Sequence, residues 1–170
     1  MPLQLCFVRH AIAEERGLRW PDDRERPLTS AGEARMREAT RGLWALFAPQ
    51  TIFTSPLVRA RQTADILAEG RPEVAVHSCE ALASGDHDAL LAAVRAAGSE
   101  RIAVVGHEPT ISQALSFALT GDEDAVALLF RKGAAALVSF VGAPAPGAAG
   151  LEWLLQPAAL RAVGRAPVSA

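Results

Sequence analysis

Two short apolar runs, Leu3–Val8 and Arg101–Val105, constrain the fold of this chain more than any other feature of its sequence. A run that is apolar at nearly every position is typical of a strand that is covered on both faces. Segments with a helical spacing of apolar residues separate these and other strand-like runs, and this alternation favours parallel strands joined by crossover helices. We therefore expect an α/β protein with helices on both faces of its sheet.

The other elements follow from capping, turn and periodicity signals. Ser30, with Glu33 three residues later, is predicted to be the N-cap in a capping box that opens a helix reaching Phe47. Further helices are predicted over 55–69, 86–97 and 109–119, and further strands over 51–54, 74–76, 134–141 and 151–155. We expect a single three-layer α/β/α sandwich, in which a mostly parallel central sheet gains an antiparallel edge from the last two strands.

Length and composition fit one domain. The 170 residues fall within the range of a single domain, and half of them are hydrophobic, which is enough for a sizeable core. The sequence contains no internal repeat and no linker. Residues 1–160 are predicted to form the domain, and residues 161–170, which end in "RAPVSA", are predicted to be a poorly ordered tail.

Charge and cysteine usage exclude several functions. The formal net charge of −2 argues against binding of nucleic acid through bulk electrostatics. No apolar run approaches the ~20 residues of a membrane span, and the first residues do not form a secretion signal. Cys6 and Cys79 suggest neither a disulfide framework nor a metal-binding pair. We expect a cytoplasmic protein with two reduced thiols.

Charged and nucleophilic residues follow three of the predicted strands. Arg9 and His10 come directly after the first strand, Arg59 follows the strand over 51–54, and His107 follows "RIAVV". In open α/β sheets, ligands bind beyond the carboxyl ends of the strands, so these four side chains should meet at one edge. Arginine matches phosphate oxygens in pairs, and histidine can act as a nucleophile. The pattern predicts a pocket for a phosphoryl group.

Neighbouring features limit the chemistry of this pocket. Predicted helix N-termini after Ser55 and after Glu108 would add free N–H groups and partial positive charge. The chain lacks the glycine-rich loop with lysine that binds nucleoside triphosphates. No pair of histidines has metal-ligand spacing on one helix, so neither a metal nor another cofactor is expected.

Three motifs resemble the signatures of the histidine phosphatase superfamily in order and spacing. They are "FVRHA" at 7–11, "TSPLVRARQTA" at Thr54–Ala64 and "VVGHEPT" at Val104–Thr110. The short length resembles the small SixA-type phosphohistidine phosphatase branch, as do the segments "DDRERPLTSAGEAR", "RKGA" and "EWLLQPAAL". The resemblance covers nearly the whole chain. One departure is Ala11, because larger relatives often carry glycine directly after the Arg-His pair.

The resemblance implies a role for each matching residue. His10 would be the nucleophile that becomes phosphorylated, Arg9 and Arg59 would clamp the phosphate, and His107 would face and stabilise the phosphoryl group. Glu80, in "CEAL", would protonate the leaving group. Other carboxylates could approach the same place, namely those of Glu14, Glu15, Asp86 and Glu108. Trp20 is a candidate for the mouth of the pocket, and the charged run at 22–26 is interpreted as a solvated loop.

The resemblance implies a metal-independent phosphatase that works through phospho-His10. A phosphohistidine on a partner protein is the expected substrate, because the stretch between Val76 and Arg101 has room for one helix and not for the insertion that closes the pocket of larger relatives. Two alternatives stay open within the enzyme class, a broad-specificity phosphomonoesterase of small molecules and a mutase. A non-catalytic phosphate-binding module is the alternative from another class. The sequence does not indicate an oligomeric state.

Overall fold

A six-stranded sheet forms the centre of the computed structural model, which describes residues 2–166. Four strands come before residue 107 and two after it. They are β1 (Leu3–Arg9), β2 (Thr51–Thr54), β3 (Ala75–Ser78), β4 (Arg101–Gly106), β5 (Ala135–Phe140) and β6 (Ala149–Leu155). The bounds agree with the predicted strands to within about three residues.

The strand order is β3-β2-β4-β1-β5-β6, so β1 lies inside the sheet. The pairs β2–β3, β2–β4 and β1–β4 are parallel, whereas β1–β5 and β5–β6 are antiparallel. Arg9 pairs with Gly106 and Thr54 with Val105, so the carboxyl ends of β1, β2 and β4 reach the same edge. The predicted fold class, a mostly parallel sheet with an antiparallel edge, is confirmed.

Within residues 2–166, six α-helices cover the two faces of the sheet. They are α1 (Ser30–Leu46), α2 (Val58–Ala68), α3 (Ala81–Ser84), α4 (His87–Ala96), α5 (Thr110–Thr120) and α6 (Pro157–Arg165). Side chains alternate along β1, so that Cys6 and Val8 share a core with α1, α2 and α6, while Leu5 and Phe7 share a core with α3, α4 and α5. Both faces of β1 are therefore buried, which explains its continuous apolar run.

Two predicted helix starts differ from the structure. Thr29, not Ser30, is the N-cap of α1, and its Oγ1 accepts a hydrogen bond of 2.9 Å from the N–H of Gly32. The helix predicted from Ser55 begins at Val58. The N–H of Ser55 donates to the carbonyl of Val105 at 2.9 Å, so this residue continues the β2–β4 ladder and is not available to open a helix.

Residues 79–100 form two helices instead of the one predicted. Gly85, with a φ of +79°, ends the short α3, and the side chain of Asp86 accepts a hydrogen bond from the N–H of Ala89 to cap α4. No larger insertion stands between β3 and β4, as predicted. The described part of the chain has no helix that is both long and apolar enough to cross a membrane.

The last helix corrects the predicted domain boundary. We predicted a tail from residue 161, yet α6 continues to Arg165 and packs against α1, so residues 161–165 belong to the folded domain. Pro157 at the start of the helix was a sequence signal for this element, and the structure buries Leu160 fully. Residues 167–170 of the predicted tail lie outside the described residues.

A glycine contact joins α1 to α6. A Cβ atom on Gly42 would overlap the backbone carbonyl of Leu160. We expect Gly42→Ala to lower the free energy of unfolding by about 1–3 kcal/mol, because the two backbones must move apart. Urea unfolding followed by circular dichroism would measure this loss. Gly17→Ala is the matched control, since an added Cβ there meets nothing within 4 Å. Equal stabilities of the two variants would contradict the proposed close packing.

A loop of residues 14–27, called here the 14–27 loop, follows β1 and folds back on itself. Ala13 and Leu28 form an isolated β-bridge at its base, and the N–H of Glu14 donates to the carbonyl of Pro27 at 2.9 Å. The loop contains the charged run that we interpreted as solvated. That interpretation is wrong for Arg26, which is 7% exposed.

Candidate active site

The four residues predicted to meet at the sheet edge line one cavity of about 330 Å³. They are Arg9 and His10 at the end of β1, Arg59 in the first turn of α2, and His107 just after β4. The other lining residues are Ala13, Glu14, Glu15, Arg16, Arg26, Glu108 and Lys132. Five of the lining side chains are arginine or lysine and three are glutamate, so the cavity is suited to an anion.

His10 is fixed in one tautomer by its own strand end. Its backbone N–H donates to the carbonyl of Gly106 at 2.8 Å, and its side chain is buried. The Nδ1 atom lies 2.6 Å from the carbonyl oxygen of Ala11. Because a carbonyl oxygen can only accept, Nδ1 carries the proton and Nε2 keeps its lone pair. This contact with the backbone leaves the lone pair of Nε2 free to act as a nucleophile.

Both histidines are held neutral near pH 7. The pKa of His10 is lowered from 6.5 to about 3, mainly by burial. The hydrogen bond to Ala11 raises this pKa, while the charges of Arg59 and Arg9 lower it further. Burial is also the largest cause that lowers the pKa of His107, followed by the charge of Arg59. A neutral imidazole at position 10 is the form that can attack phosphorus.

We expect the imidazole of His10 not to titrate between pH 8 and pH 5, in contrast to an ordinary histidine. Two-dimensional NMR of the ring carbons, assigned with a His10→Asn variant, would measure this. The same lowered pKa predicts that the free energy of unfolding falls as the pH drops below about 6.5. In that range His10 binds a proton in the unfolded chain but not in the folded chain. A midpoint for His10 near pH 6.5 would contradict both expectations.

Three buried nitrogen atoms at the cavity have no hydrogen-bond partner among the described residues. They are Nε of Arg9, Nε of Arg59 and Nε2 of His107. The rest of each guanidinium is anchored, since Nη1 of Arg9 donates to the carbonyl of Phe130 at 2.6 Å and Nη1 of Arg59 donates to the carbonyl of Asp23 at 2.7 Å. An unpartnered buried polar group costs about 1–3 kcal/mol. Phosphoryl oxygens would accept from the two arginine Nε–H groups.

Asp23 joins three arginines at the wall of the site. One carboxylate oxygen accepts from Nη2 of Arg59 at 2.9 Å, and the other accepts from Nε of Arg26 at 2.8 Å and lies 3.3 Å from Nε of Arg16. Burial raises the pKa of Asp23, but the hydrogen bond from Arg26 and the charges of the arginines outweigh it and hold the pKa below its usual value. Asp23 therefore stays ionised and orients the guanidinium of Arg59.

We did not predict this network from the sequence. Asp23 and Arg26 belong to the run "DDRER", whose mixed charges look like an exposed surface. Arg26 also donates from Nη1 to the carbonyl of Glu14 at 2.7 Å, so it ties the two ends of the 14–27 loop together. The one signal that could have indicated this role was the presence of the run in the segment that resembles the SixA-type branch.

Two of the predicted site residues do not line this cavity. Glu80 is the N-cap residue of α3, its side chain is 68% exposed, and Oε1 lies 3.9 Å from Nη2 of Arg24. Trp20 lines a neighbouring cavity together with Arg16 and Asp23. Their predicted roles, proton donor and substrate contact, stay predictions. Any substrate that uses them must extend beyond the four central residues.

Glu108 is the carboxylate placed beside His107. Its Oε2 accepts a hydrogen bond of 2.6 Å from the hydroxyl of Ser112, and its Oε1 is buried without a hydrogen-bond partner in the described chain. Glu14 and Glu15 also line the cavity, whereas Asp86 does not. Among the carboxylates that the sequence offers as alternatives to Glu80, Glu108 combines a place in the cavity lining with a buried, unpartnered oxygen. Within residues 2–166, no cluster of three or more His, Cys, Asp or Glu side chains could hold a metal ion.

The fold and the cavity define an α/β protein with a cationic cavity, which is lined by two histidines of lowered pKa and by Arg9 and Arg59. The family model of the histidine phosphatase superfamily (branch 1) matches residues 5–87. An uncharacterized protein of Picosynechococcus sp. is 36% identical over 127 residues, which are 70% of this chain and 76% of that protein. The chain belongs to the histidine phosphatase superfamily.

Solved structures show the same fold. The protein histidine phosphatase SixA complexed with tungstate superposes with a TM-score of 0.79 at 22% identity, over 93% of this chain and 99% of that one. The putative phosphohistidine phosphatase SixA from Nakamurella multipartitia has a TM-score of 0.74 at 26% identity, over 92% and 97%. Small-molecule phosphatases and a phosphoglycerate mutase also share the fold.

Proposed function

We propose that this protein is a metal-independent cytoplasmic phosphatase that removes the phosphoryl group from a phosphohistidine on a partner protein. The observation that carries the proposal is the state of His10, whose Nε2 lone pair is free and whose pKa is lowered to about 3. Arg9, Arg59 and His107 line the same cavity and can take the phosphoryl oxygens.

The reaction would proceed in two steps, transfer of the phosphoryl group to His10 and its hydrolysis. The lone pair on Nε2 of His10 forms a bond to phosphorus, while the bond from phosphorus to the substrate nitrogen breaks and its electron pair leaves with that nitrogen. A carboxyl group of the site supplies the proton that the leaving group takes up. Water then attacks phosphorus, the bond to Nε2 breaks, the carboxylate accepts a proton from water, and inorganic phosphate leaves.

The cationic groups would stabilise the charge that spreads over the phosphoryl oxygens in both steps. They are placed before the substrate arrives, because Asp23 and the carbonyl of Phe130 already anchor Arg59 and Arg9. Preorganised donors of this kind need no rearrangement during the reaction, which is why they lower the barrier more than the same groups in water.

We infer that Glu108 supplies the proton, and we keep Glu80 as the alternative. An alkyl phosphate needs this proton far more than a phosphoimidazole, whose leaving group has a conjugate-acid pKa of ~6.5. Glu108→Gln should therefore lower kcat about 10²-fold or more on an alkyl phosphate and little on phosphoimidazole. Glu80→Gln is the matched control and should leave both rates unchanged. The reverse pattern in steady-state assays would assign the role to Glu80.

The shape of the site supports a substrate on a protein surface. Only α3 and α4 stand between β3 and β4, so no inserted domain covers the cavity. A mutase must retain its phosphorylated intermediate and return the phosphoryl group to the product, for which an uncovered cavity is poorly suited. An uncovered cavity does admit small phosphate esters, and these are the second candidate substrates.

A direct comparison of substrates tests the proposal. Specificity constants would be measured side by side for a chemically phosphorylated histidine protein and for a panel of small phosphate esters. We expect the phosphohistidine protein to give the higher kcat/KM. A small ester that wins by a wide margin would overturn the substrate assignment while leaving the covalent mechanism in place.

A further inference from the structure

A second cavity, of about 170 Å³, lies beside the active-site cavity. We call it the side cavity. The two cavities share Lys132, and Ala11 lines the side cavity while His10, the residue before it, lines the active site. Adjacent Cα atoms are ~3.8 Å apart, so the walls of the two cavities adjoin at residues 10 and 11.

The side cavity is strongly cationic. Arg35, Arg131, Lys132 and Arg161 line it, and no aspartate or glutamate does. The side chains of Arg35, Arg131 and Lys132 have neither an ion pair nor a hydrogen bond with any described residue. Such a concentration of unneutralised charge destabilises the fold by self-repulsion, and it is suited to binding an anion.

Arg161 has only a weak partner. Its Nε lies 3.9 Å from Oε2 of Glu38, and the same oxygen accepts a shorter bond of 2.7 Å from Arg165. The pKa of Lys132 is lowered by burial and then by the charges of Arg9 and Arg26, so this lysine too lies among cations with little compensation. The positive charge of the side cavity is therefore available to a ligand.

The walls of the side cavity are held in place. The N–H of Gly133 contacts the carbonyls of Arg9 and His10 at 3.2 and 3.1 Å, which fastens the 131–133 turn to the strand of the nucleophile. Gln156 accepts from the N–H of Arg131 at 3.2 Å and donates to the carbonyl of Leu129 at 2.6 Å. The floor is the buried Met36 on α1. The backbone of the side cavity is thus preformed, whereas the exposed side chains of Arg35 and Arg131 would become ordered when an anion binds.

We propose that the side cavity binds a carboxylate side chain of the phosphoprotein substrate, next to the phosphohistidine that enters the active site. The proposal rests on the proposed phosphohistidine function and narrows it to phosphohistidines with an acidic neighbour on the same surface. A second anionic group on a small molecule has the same chemistry. We favour the protein carboxylate because the active-site cavity is uncovered and admits a protein surface.

Three probes test the proposal. Two are phosphohistidine peptides of equal length, one with glutamate and one with glutamine at the positions flanking the phosphohistidine, and the third is para-nitrophenyl phosphate. The wild type should turn over the acidic peptide with a KM about tenfold below that of the neutral peptide, and 0.5 M salt should reduce this preference. The double variant Arg35→Gln/Arg131→Gln should lose the preference and keep its activity on para-nitrophenyl phosphate.

Arg37→Gln/Arg61→Gln is the matched control. It removes the same charge from exposed arginines that pair with Glu69 and Asp65 and line neither cavity. This control should keep the preference for the acidic peptide. Equal KM values for the two peptides in the wild type, or an equal loss of preference in the control, would overturn the proposal. So would inhibition by a small bisphosphate that Arg35→Gln/Arg131→Gln weakens while it keeps the preference for the acidic peptide.

A binding measurement separates failure of this proposal from failure of the proposed function. Calorimetric titration of the His10→Ala protein with each unphosphorylated peptide needs no turnover. The glutamate peptide should bind more tightly than the glutamine peptide, and adding Arg35→Gln/Arg131→Gln should abolish this difference. That result would support a carboxylate site in the side cavity even if no phosphohistidine is hydrolysed. Equal binding of both peptides would refute it even if the phosphatase activity is confirmed.

Discussion

Replacement of His10 by alanine is expected to lower kcat on para-nitrophenyl phosphate by about 10⁴-fold or more, as removal of a nucleophile does in other covalent enzymes. Nε2 of His10 is the group whose lone pair is free, because the contact of Nδ1 with the carbonyl of Ala11 fixes the tautomer of the ring. The measurement is steady-state hydrolysis by the two proteins at equal concentration.

Binding of inorganic phosphate provides the control for this variant. His10→Ala keeps Arg9, Arg59 and His107, so calorimetry should still detect phosphate at the site. The wild type mixed rapidly with a radiolabelled ester should also retain label that is stable in alkali and released by acid, as expected for a phosphorylated imidazole. Equal turnover by the wild type and His10→Ala would end the covalent proposal. Absence of turnover in both would favour the non-catalytic module.

Replacement of Arg59 by alanine is expected to lower kcat/KM about 10²–10³-fold, which is the usual cost of one preorganised donor. Its side chain is 4% exposed, and its guanidinium is oriented by two hydrogen bonds to Asp23. Arg59→Lys should recover little, because an ammonium group cannot bond Asp23 and a phosphoryl oxygen through one planar fork. Steady-state kinetics on para-nitrophenyl phosphate would measure both losses.

Arg61→Ala is the matched control on the same helix. Arg61 lies two positions from Arg59, points to the outer surface and forms an exposed pair with Asp65 at 3.0 Å. Its removal should leave kcat/KM unchanged and change stability by less than about 0.5 kcal/mol. If the two alanine variants were equally active, Arg59 would not be a phosphate clamp.

The sheet and the four central residues could be predicted from the sequence because they depend on local patterns. Continuous apolar runs identify β1 and β4, and the parallel connection brings the ends of these strands to one edge. His10 and His107 each stand directly after such a run, so their convergence follows from topology alone. The resemblance added the expected chemical role of each residue, and the structure added the tautomer of His10.

The network around Asp23 could not be predicted in the same way. Arg26 becomes buried only because the β-bridge between Ala13 and Leu28 folds the loop back over β1, and no periodicity marks such a contact. Glu80 does follow β3, as expected, but it starts α3 and its carboxylate turns toward Arg24. Side-chain direction at a strand end depends on the next element, which a motif does not specify.

The 14–27 loop forms part of the cavity wall that a substrate contacts, but it does not carry the nucleophile. The nucleophile stands on an interior strand of the sheet, whereas one wall of the cavity belongs to a segment whose two ends meet at a single bridge. Such a segment could be exchanged for the corresponding loop of a relative. The resulting chimera would bind different phosphorylated molecules, while the sheet that carries His10 would stay unchanged. Any functional chimera should still carry a carboxylate at position 23, because without it the guanidinium of Arg59 keeps only its bond to the backbone carbonyl of that residue.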